Sequence, residues 1–285
     1  MDEHAILSVR NLRKRFPIFG RGILRRQVGS INACDGVSFD VRRGETLALV
    51  GESGSGKTTL GRLILGVLQP DSGQVLFRSR TTLEPVDLVS ANPATRKSLR
   101  QELQMIFQDP FGSLNPYMTV GQIVAEPLRI NGRAKGTELH RQVVQMLDKV
   151  GLNADCLHRY PNAFSGGQRQ RIGIARALIV RPALVVCDEP VSALDVSIQA
   201  QILNLLCSMQ EELELTYIFV SHDMRVVRQV ADRIAVFQDG RMTAPVPAEV
   251  FFASRQRRQG KHEDEQGVSP SPPSPPSHHE MLRKT

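Results

Sequence analysis

A chain of 285 residues, 41% hydrophobic and with a formal net charge of +7, is long and apolar enough to bury a substantial core. No apolar run approaches the roughly 18 residues of a membrane span, and the start lacks the basic-then-apolar plan of a secretory signal, so neither an integral membrane protein nor a secreted one is expected. The four cysteines (Cys34, Cys156, Cys187, Cys207) stand far apart with no C-x-x-C pair, and read as buried thiols of a reducing cytoplasm, neither disulfides nor a metal site.

In chain order, Ile6–Val9 and Gly36–Val41 alternate apolar and polar residues and predict paired antiparallel strands, with Arg43-Gly44 turning into the next. Phe16 falls between them, before a loop rich in Gly and Arg. An aromatic there would stack on a nucleobase or anchor the loop in the core, and the residues alone leave both open. Between Arg13 and Arg26 stand six basic residues (Arg13, Lys14, Arg15, Arg21, Arg25, Arg26) and no acid. A solvated loop, a patch beside nucleotide phosphates and a surface facing anionic lipid are the competing readings. Nucleic acid is not expected as a partner, since only 5% of residues are aromatic and no stacking platform shows.

Thr46–Val50 is a short apolar run of the kind a buried parallel strand needs, and Thr59–Leu65 carries apolar residues at helical spacing. Between them, Gly51-Glu-Ser-Gly-Ser-Gly-Lys-Thr-Thr59 fits the phosphate-loop pattern G-x-x-x-x-G-K-[ST]. Gly51, Gly54 and Gly56 let the backbone bend so that N–H groups, with Ser53, Ser55 and Thr59 among them, converge on an anion at a helix N-terminus. Lys57 is placed to reach the outer phosphates and the Thr58 hydroxyl to sit on Mg2+. A chance glycine-rich turn is the bland alternative, and both flanks argue against it.

Gln69–Gly73 predicts a turn and Gln74–Phe77 a strand, followed by a polar, irregular stretch from Arg78 to Ser98. Leu103–Phe107 predicts another strand, ending in the Pro- and Gly-rich loop Gln108–Pro116. Residues 119–164 predict a helical block, in which Leu139, Val143, Met146, Leu147 and Val150 form a stripe that Gly151 would stop. Phe164-Ser165-Gly166-Gly167-Gln168 then opens a helical run over 170–179, a second helix start suited to phosphate. Ala183–Cys187 is a fully apolar strand ending in Asp188-Glu189, where open α/β sheets place ligands. In a triphosphatase Asp188 would hold Mg2+, directly or through water, and Glu189 would polarise the attacking water; elsewhere such a pair is a solvated strand end. Ser192-Ala-Leu-Asp195 precedes a helix over about 198–212. The strand Thr216–Ser221 is capped by His222, which at that edge would hydrogen-bond the γ-phosphate or the water. Arg233–Phe237 and Asp239-Gly240 close the sheet with a hairpin. From about Ala253 the chain turns low in complexity, with Arg255-Gln-Arg-Arg258 and the Pro/Ser run Ser269–Ser277, and cannot bury a core.

Phosphate loop, Gln108 loop, Ser165-Gly-Gly-Gln168, the Asp188-Glu189 strand, Ser192-Ala-Leu-Asp195 and His222, in that order, resemble the nucleotide-binding domain of ABC transporters over roughly residues 6–252. Within that family Phe107–Pro116, Phe164–Arg171 and Asp188–Ser197 are similar to the ATPase subunits of oligopeptide, dipeptide and nickel importers, and the Arg-rich stretch between Phe16 and Cys34 resembles an insertion of that group. The resemblance implies an α/β fold. It comprises a P-loop NTPase core with a mostly parallel sheet, an antiparallel β subdomain and an α-helical signature subdomain at about 109–166. The domain would cover 1–252, followed by a disordered Pro/Ser-rich tail over 253–285. It implies ATP and Mg2+ as cofactors, with Phe16 on the adenine, Gln108 contacting Mg2+ and the water, and Glu189 and His222 as catalytic groups. Ser165, Gly166, Gly167, Gln168 and Asp195 would meet nucleotide in a dimer, each phosphate loop facing the signature turn of the other subunit. The implied partners are a second ATPase subunit (a paralogue or a second copy), two membrane permease subunits met by the loop after Gln108, and indirectly a solute-binding protein. The location would be the cytoplasmic face of the plasma membrane. A trace of the usual C-terminal ending in Arg241–Phe251, and no cysteine after Cys207, depart from the group. A soluble ABC-class ATPase not coupled to transport and an importer of nickel or another small solute are the alternatives.

Overall fold

The computed structural model describes residues 4–20, 26–80 and 84–255. The chain divides into two compact units, 1–248 and 249–285. In the second, residues 249–255 are helical, with the Phe251 and Phe252 rings edge to face at 5.6 Å. The low-complexity tail from 256 on, and Arg21 and Arg25 of the basic stretch, lie outside the described residues.

The first unit opens with β1 (Ala5–Phe19) and β2 (Gln27–Arg42), an antiparallel pair longer than the alternation at its base indicates. Phe16 lies inside β1, opposite Ile31 of β2, and not between the two strands as the extent of their alternation suggests. Two of the basic side chains have acids beside them: Arg13 lies 3.5 Å from Asp35 and Lys14 2.9 Å from Asp71. β3 (Thr46–Val50) leads through the phosphate loop into α1 (Lys57–Ile64), and β4 (Ser72–Phe77) returns beside β1.

The stretch expected to be irregular contains β5 (Val86–Asp87) and α2 (Pro93–Leu99). Its helix start was written in the chain: Asn92 accepts the Thr95 N–H at 2.8 Å and proline stands at the first helical position. β6 (Leu103–Ile106), α3 (Val120–Ile130), α4 (Gly136–Lys149), α5 (Gly166–Leu178) and β7 (Leu184–Asp188) follow. Gly151, with φ +72°, ends α4 in a Schellman turn: its N–H reaches Asp148 O at 2.8 Å and that of Leu152 reaches Leu147 O at 2.9 Å. Then come α6 (Val196–Leu213), β8 (Thr216–Ser221), α7 (Met224–Val230), β9 (Arg233–Gln238), β10 (Arg241–Met242) and β11 (Val246–Pro247). The short α7 has no long apolar stripe to announce it and is capped by Asp223, which accepts the Arg225 N–H at 2.8 Å.

Two sheets result, one antiparallel in the order β2-β1-β4-β5 and one ordered β10-β9-β3-β8-β7-β6, with β11 also on β9. In the second, β9, β3, β8, β7 and β6 run parallel. β3, β7 and β8 are buried at every position, which explains their unbroken apolar character: both faces of the sheet are covered. Alternate residues divide between two cores. Val185, Cys187, Tyr217 and Phe219 meet the helical side made by α3 to α6, while Leu184, Val186, Ile218 and Val220 meet α1 and the antiparallel sheet. Cys34, Cys156 and Cys187 are buried free thiols, whereas Cys207 is only half-buried. Among the described residues no helix is long and apolar enough to cross a membrane.

Candidate active site

The carboxyl ends of β3, β8, β7 and β6 all open on one edge of the sheet, as their parallel pairing requires. That edge therefore receives the phosphate loop after Val50, His222 after Ser221, Asp188-Glu189, and Gln108 two residues past Ile106.

The phosphate loop is wedged between two backbones. A Cβ on Gly51 would lie 2.0 Å from Phe237 O, and one on Gly56 would lie 2.2 Å from Ala33 O. Gly56 also has φ +113°, a region costly for any residue with a side chain. Gly56→Ala is therefore expected to lose about 2–4 kcal/mol of stability, from left-handed strain plus a clash with backbone that has no rotamer to escape by. Equilibrium denaturation measures it, and an unchanged midpoint would contradict this loop geometry.

Lys57 is buried at the first position of α1. Its Nζ donates to Gly51 O at 2.8 Å, Glu52 O at 2.6 Å and Ser55 Oγ at 3.4 Å. Burial lowers its pKa, against which the Glu189 and Asp188 carboxylates pull it up. The next residue, Thr58, donates its hydroxyl to Asp188 Oδ1 at 2.9 Å across the cleft between α1 and β7. Asp188 is 4% exposed, and burial raises its carboxyl above the usual carboxylate range while the Thr58 hydrogen bond works the other way. A hydroxyl and a carboxylate oxygen this close, with the Gln108 carboxamide lining the same cleft, form a hard-oxygen donor set that suits Mg2+ held jointly with phosphates. Among the described residues no group of three or more His, Cys, Asp or Glu gathers as an all-protein metal cage.

Glu189 follows with φ +46°, a left-handed backbone for a residue with a full side chain. Its own N–H donates to Val220 O at 3.0 Å, so the strained turn is stitched to β8. Two side chains converge on its carboxylate: Gln108 Nε2 donates to Oε2 at 3.1 Å, and His222 Nδ1 lies 3.1 Å from Oε1. With Nδ1 bearing the proton toward Glu189, Nε2 is left as the acceptor of the ring. The three catalytic expectations thus meet at one carboxylate that is 13% exposed.

The remaining expected residues lie elsewhere. Ser165 is the N-cap of α5 in a reciprocal capping box: Gln168 N–H donates to Ser165 Oγ at 3.4 Å, and Ser165 N–H to Gln168 Oε1 at 3.0 Å. The Gln168 side chain is thus occupied in shaping the turn, in which Gly166 and Gly167 are half-buried. Asp195 starts α6, its carbonyl accepting from Ile198 and Gln199 N–H at 2.9 and 2.8 Å. Phe16 is 37% exposed, its ring under the Lys14 ammonium at 5.7 Å. Among the described residues no hydrogen bond or ion pair joins Ser165, Gln168, Asp195 or Phe16 to the phosphate loop.

Beyond Thr58 and Asp188 the cleft widens into a cavity of about 1400 Å3, bordered by the Gln108 loop and rimmed by Arg62, Arg96, Lys97 and Arg100. Three of those cations belong to α2 or the residue after it, and a helix of seven residues gives their convergence no periodic signal in the sequence.

A family model described as ABC transporter matches residues 34–192. The oligopeptide transport ATP-binding protein AppF of Bacillus subtilis is 48% identical over 242 residues, covering 85% of this chain and 71% of its own. The glutathione import ATP-binding protein GsiA of Escherichia coli K12 is 44% identical over 256 residues, 90% of this chain, which spans 40% of GsiA's length. Among solved structures, the dimeric post-hydrolysis state of the ATP-binding cassette MJ0796 bound to ADP and Pi superposes with a TM-score of 0.72 at 27% identity, covering 85% of this chain and 98% of that one.

Proposed function

The chain belongs to the ABC transporter family, and from that premise we propose that it is the ATP-hydrolysing subunit of an importer for peptides. The observation that carries the hydrolytic part is the convergence of Gln108 and His222 on Glu189 beside the Lys57 loop. AppF, its relative, is an oligopeptide transport protein by name, which supports the choice of solute class. The ATPase module is assigned to 1–252, its helical portion to about 109–166.

Lys57 and the loop amides hold the outer phosphates of ATP, and Phe16 offers its exposed ring to the adenine. Thr58, Asp188 and Gln108 would hold Mg2+ with the nucleotide, where it would neutralise charge that builds on the transferred phosphoryl group. Glu189 accepts a proton from the attacking water, and its two neighbours keep the carboxylate aimed. His222 then has Nε2 toward the phosphate side as the second contact. Ser165, Gly166, Gly167 and Asp195 stand apart from their own phosphate loop, which is what a site completed by a second subunit requires. The MJ0796 cassette, described as dimeric, supports that arrangement. ATP would close the pair, and loss of the γ-phosphate would reopen it beneath two membrane subunits at the cytoplasmic face, fed by a solute-binding protein.

The test is a cross-link between protomers. With cysteines introduced as Ser53→Cys and Ser165→Cys, and either a second copy or the paralogous subunit as partner, oxidation should join the two chains only when ATP is present. Cross-linking that ignores ATP, or fails with every partner, would remove the shared site and the transport motor with it.

A further inference from the structure

The loop that brings Gln108 to Glu189 is held from outside by one helix. From α5, Gln170 Nε2 donates to Phe107 O at 3.5 Å, and the Arg169 guanidinium lies 4.1 Å from the centre of the Phe111 ring. The shortest hold is Arg176, whose Nη1 donates to Ser113 O at 2.6 Å while its guanidinium lies 5.8 Å from the centre of the Phe107 ring. Within the loop, Asp109 accepts the Phe111 N–H at 2.8 Å and the Ser113 N–H reaches Asp109 O at 3.1 Å, so the segment from 109 to 113 moves as one turn. A tether on Ser113 therefore acts on the whole turn, and through it on Gln108.

We propose that Arg176 is a positioning residue for hydrolysis: by gripping Ser113 O and packing on Phe107 it fixes the turn so that Gln108 meets Glu189. The role rests on the hydrolytic reading above and goes beyond it in naming what aims Gln108. Arg169 and Gln170 are the weaker candidates, one being paired with a 61% exposed ring and the other bonded at the edge of hydrogen-bond range. Arg176 is half-buried, has a charged donor and meets a backbone carbonyl that cannot rotate away. It also stands 11 positions past Ser165, roughly 16 Å along one continuous helix. The helix start that would face the neighbouring subunit's nucleotide and the residue that sets Gln108 are thus parts of one rigid rod. A shift of α5 when the pair closes would arrive at Glu189 through Arg176.

The test uses the full chain in its active pair, with kcat and KM for ATP and the affinity for a fluorescent ATP analogue. Arg176→Gln should lower kcat about tenfold and leave KM and analogue affinity within about twofold, while Arg176→Lys, able to reach the same carbonyl, should restore most of the rate. Because Arg176 acts through Gln108, Arg176→Gln added to Gln108→Ala should cost nothing more. In the nucleotide-free chain, amide exchange over 107–116 should speed up in Arg176→Gln and not in Arg171→Gln, whose arginine binds Val150 O instead. If Arg176→Gln fails to fold, the same cycle is run with Arg176→Lys and its residual loss. Multiplicative losses in the double variant, or unchanged exchange with normal wild-type turnover, overturn the Arg176 role alone. A wild type that releases no phosphate with any partner sinks the hydrolytic reading and this role together.

Discussion

Glu189→Gln should bind ATP with wild-type affinity, accumulate as a closed pair and release phosphate at least about 100-fold more slowly, a loss of roughly 2.7 kcal/mol in transition-state stabilisation. The expectation follows from what the substitution leaves in place. The carboxamide has the shape of the carboxylate, so the left-handed turn at position 189 and its N–H bond to Val220 O are untouched. One of the two contacts would become donor against donor, but with the new amide's oxygen toward Gln108 Nε2 and its NH2 toward His222, the ring repairs it by carrying its proton on Nε2 so that Nδ1 accepts, and Gln108 keeps its own oxygen for Mg2+. None of Lys57, Thr58 and Asp188, the proposed nucleotide- and Mg2+-holding side chains, touches the changed atom by hydrogen bond. What disappears is the one group at that edge able to take a proton while held by two donors. Light scattering with ATP and Mg2+ reports the closed pair, and phosphate release reports the rate. Turnover within a few-fold of wild type would take Glu189 out of the base role and leave Asp188, with its burial-raised carboxyl, as the nearest replacement.

The pieces of this site differ in how far local patterns reveal them. The phosphate loop, the three fully buried strands and the Ser165 turn are legible in sequence, because each is set by residues within a few positions: glycine geometry, an unbroken apolar run, a capping box. Gln108, Glu189 and His222 are individually recognisable. That they form one cluster depends on β6, β7 and β8 being neighbours in that order, and strand order is decided by packing between segments up to about a hundred residues apart. No period in the chain encodes it. The basic stretch illustrates the opposite failure. Its Gly and Arg content suggested a loop, yet pairing with β2 carries the strand through Phe19, a tertiary preference overriding local composition. α2 and α7 escaped for a simpler reason. At seven residues each they are too short for a helical stripe to stand out, and their local signs are the Asn92 and Asp223 caps, with Pro93 after the first.

The tether at Ser113 belongs to the same class as strand order. Arg176 reads from sequence as one more cation in a strongly helical run, with Arg169 and Arg171 as its equals. Only the packing of α5 against the Gln108 loop separates them, sending Arg171 to Val150 O, Arg169 to Pro161 O and Phe111, and Arg176 to Ser113 O.

Lys57→Ala should abolish most ATP affinity while barely lowering the stability of the empty protein, and that split is the sharper test of the phosphate loop. In the nucleotide-free chain the ammonium uses its three protons on Gly51 O, Glu52 O and Ser55 Oγ. Those bonds stabilise the loop, but the cation is buried, and the desolvation that lowers its pKa is a cost the alanine variant no longer carries. The two terms oppose each other, so a shift of the apo denaturation midpoint by more than about 2 kcal/mol is not expected. A bound triphosphate changes the balance. It offers the same ammonium anionic oxygens in place of neutral carbonyls, and each charge-assisted bond is worth about 1.5–3 kcal/mol. Removing Lys57 loses that gain, together with the positive charge that the Glu189 and Asp188 carboxylates feel beside the loop. The combined loss should weaken ATP binding by a factor on the order of 100 or more, so that ATP at a hundred times the wild-type Kd, which stabilises the wild type by about 2.7 kcal/mol, should give the variant less than about 0.5. Thermal denaturation with and without ATP reads both halves at once. An ATP-induced shift equal to the wild type's would mean that the triphosphate is held elsewhere, and the loop between β3 and α1 would lose its assigned ligand.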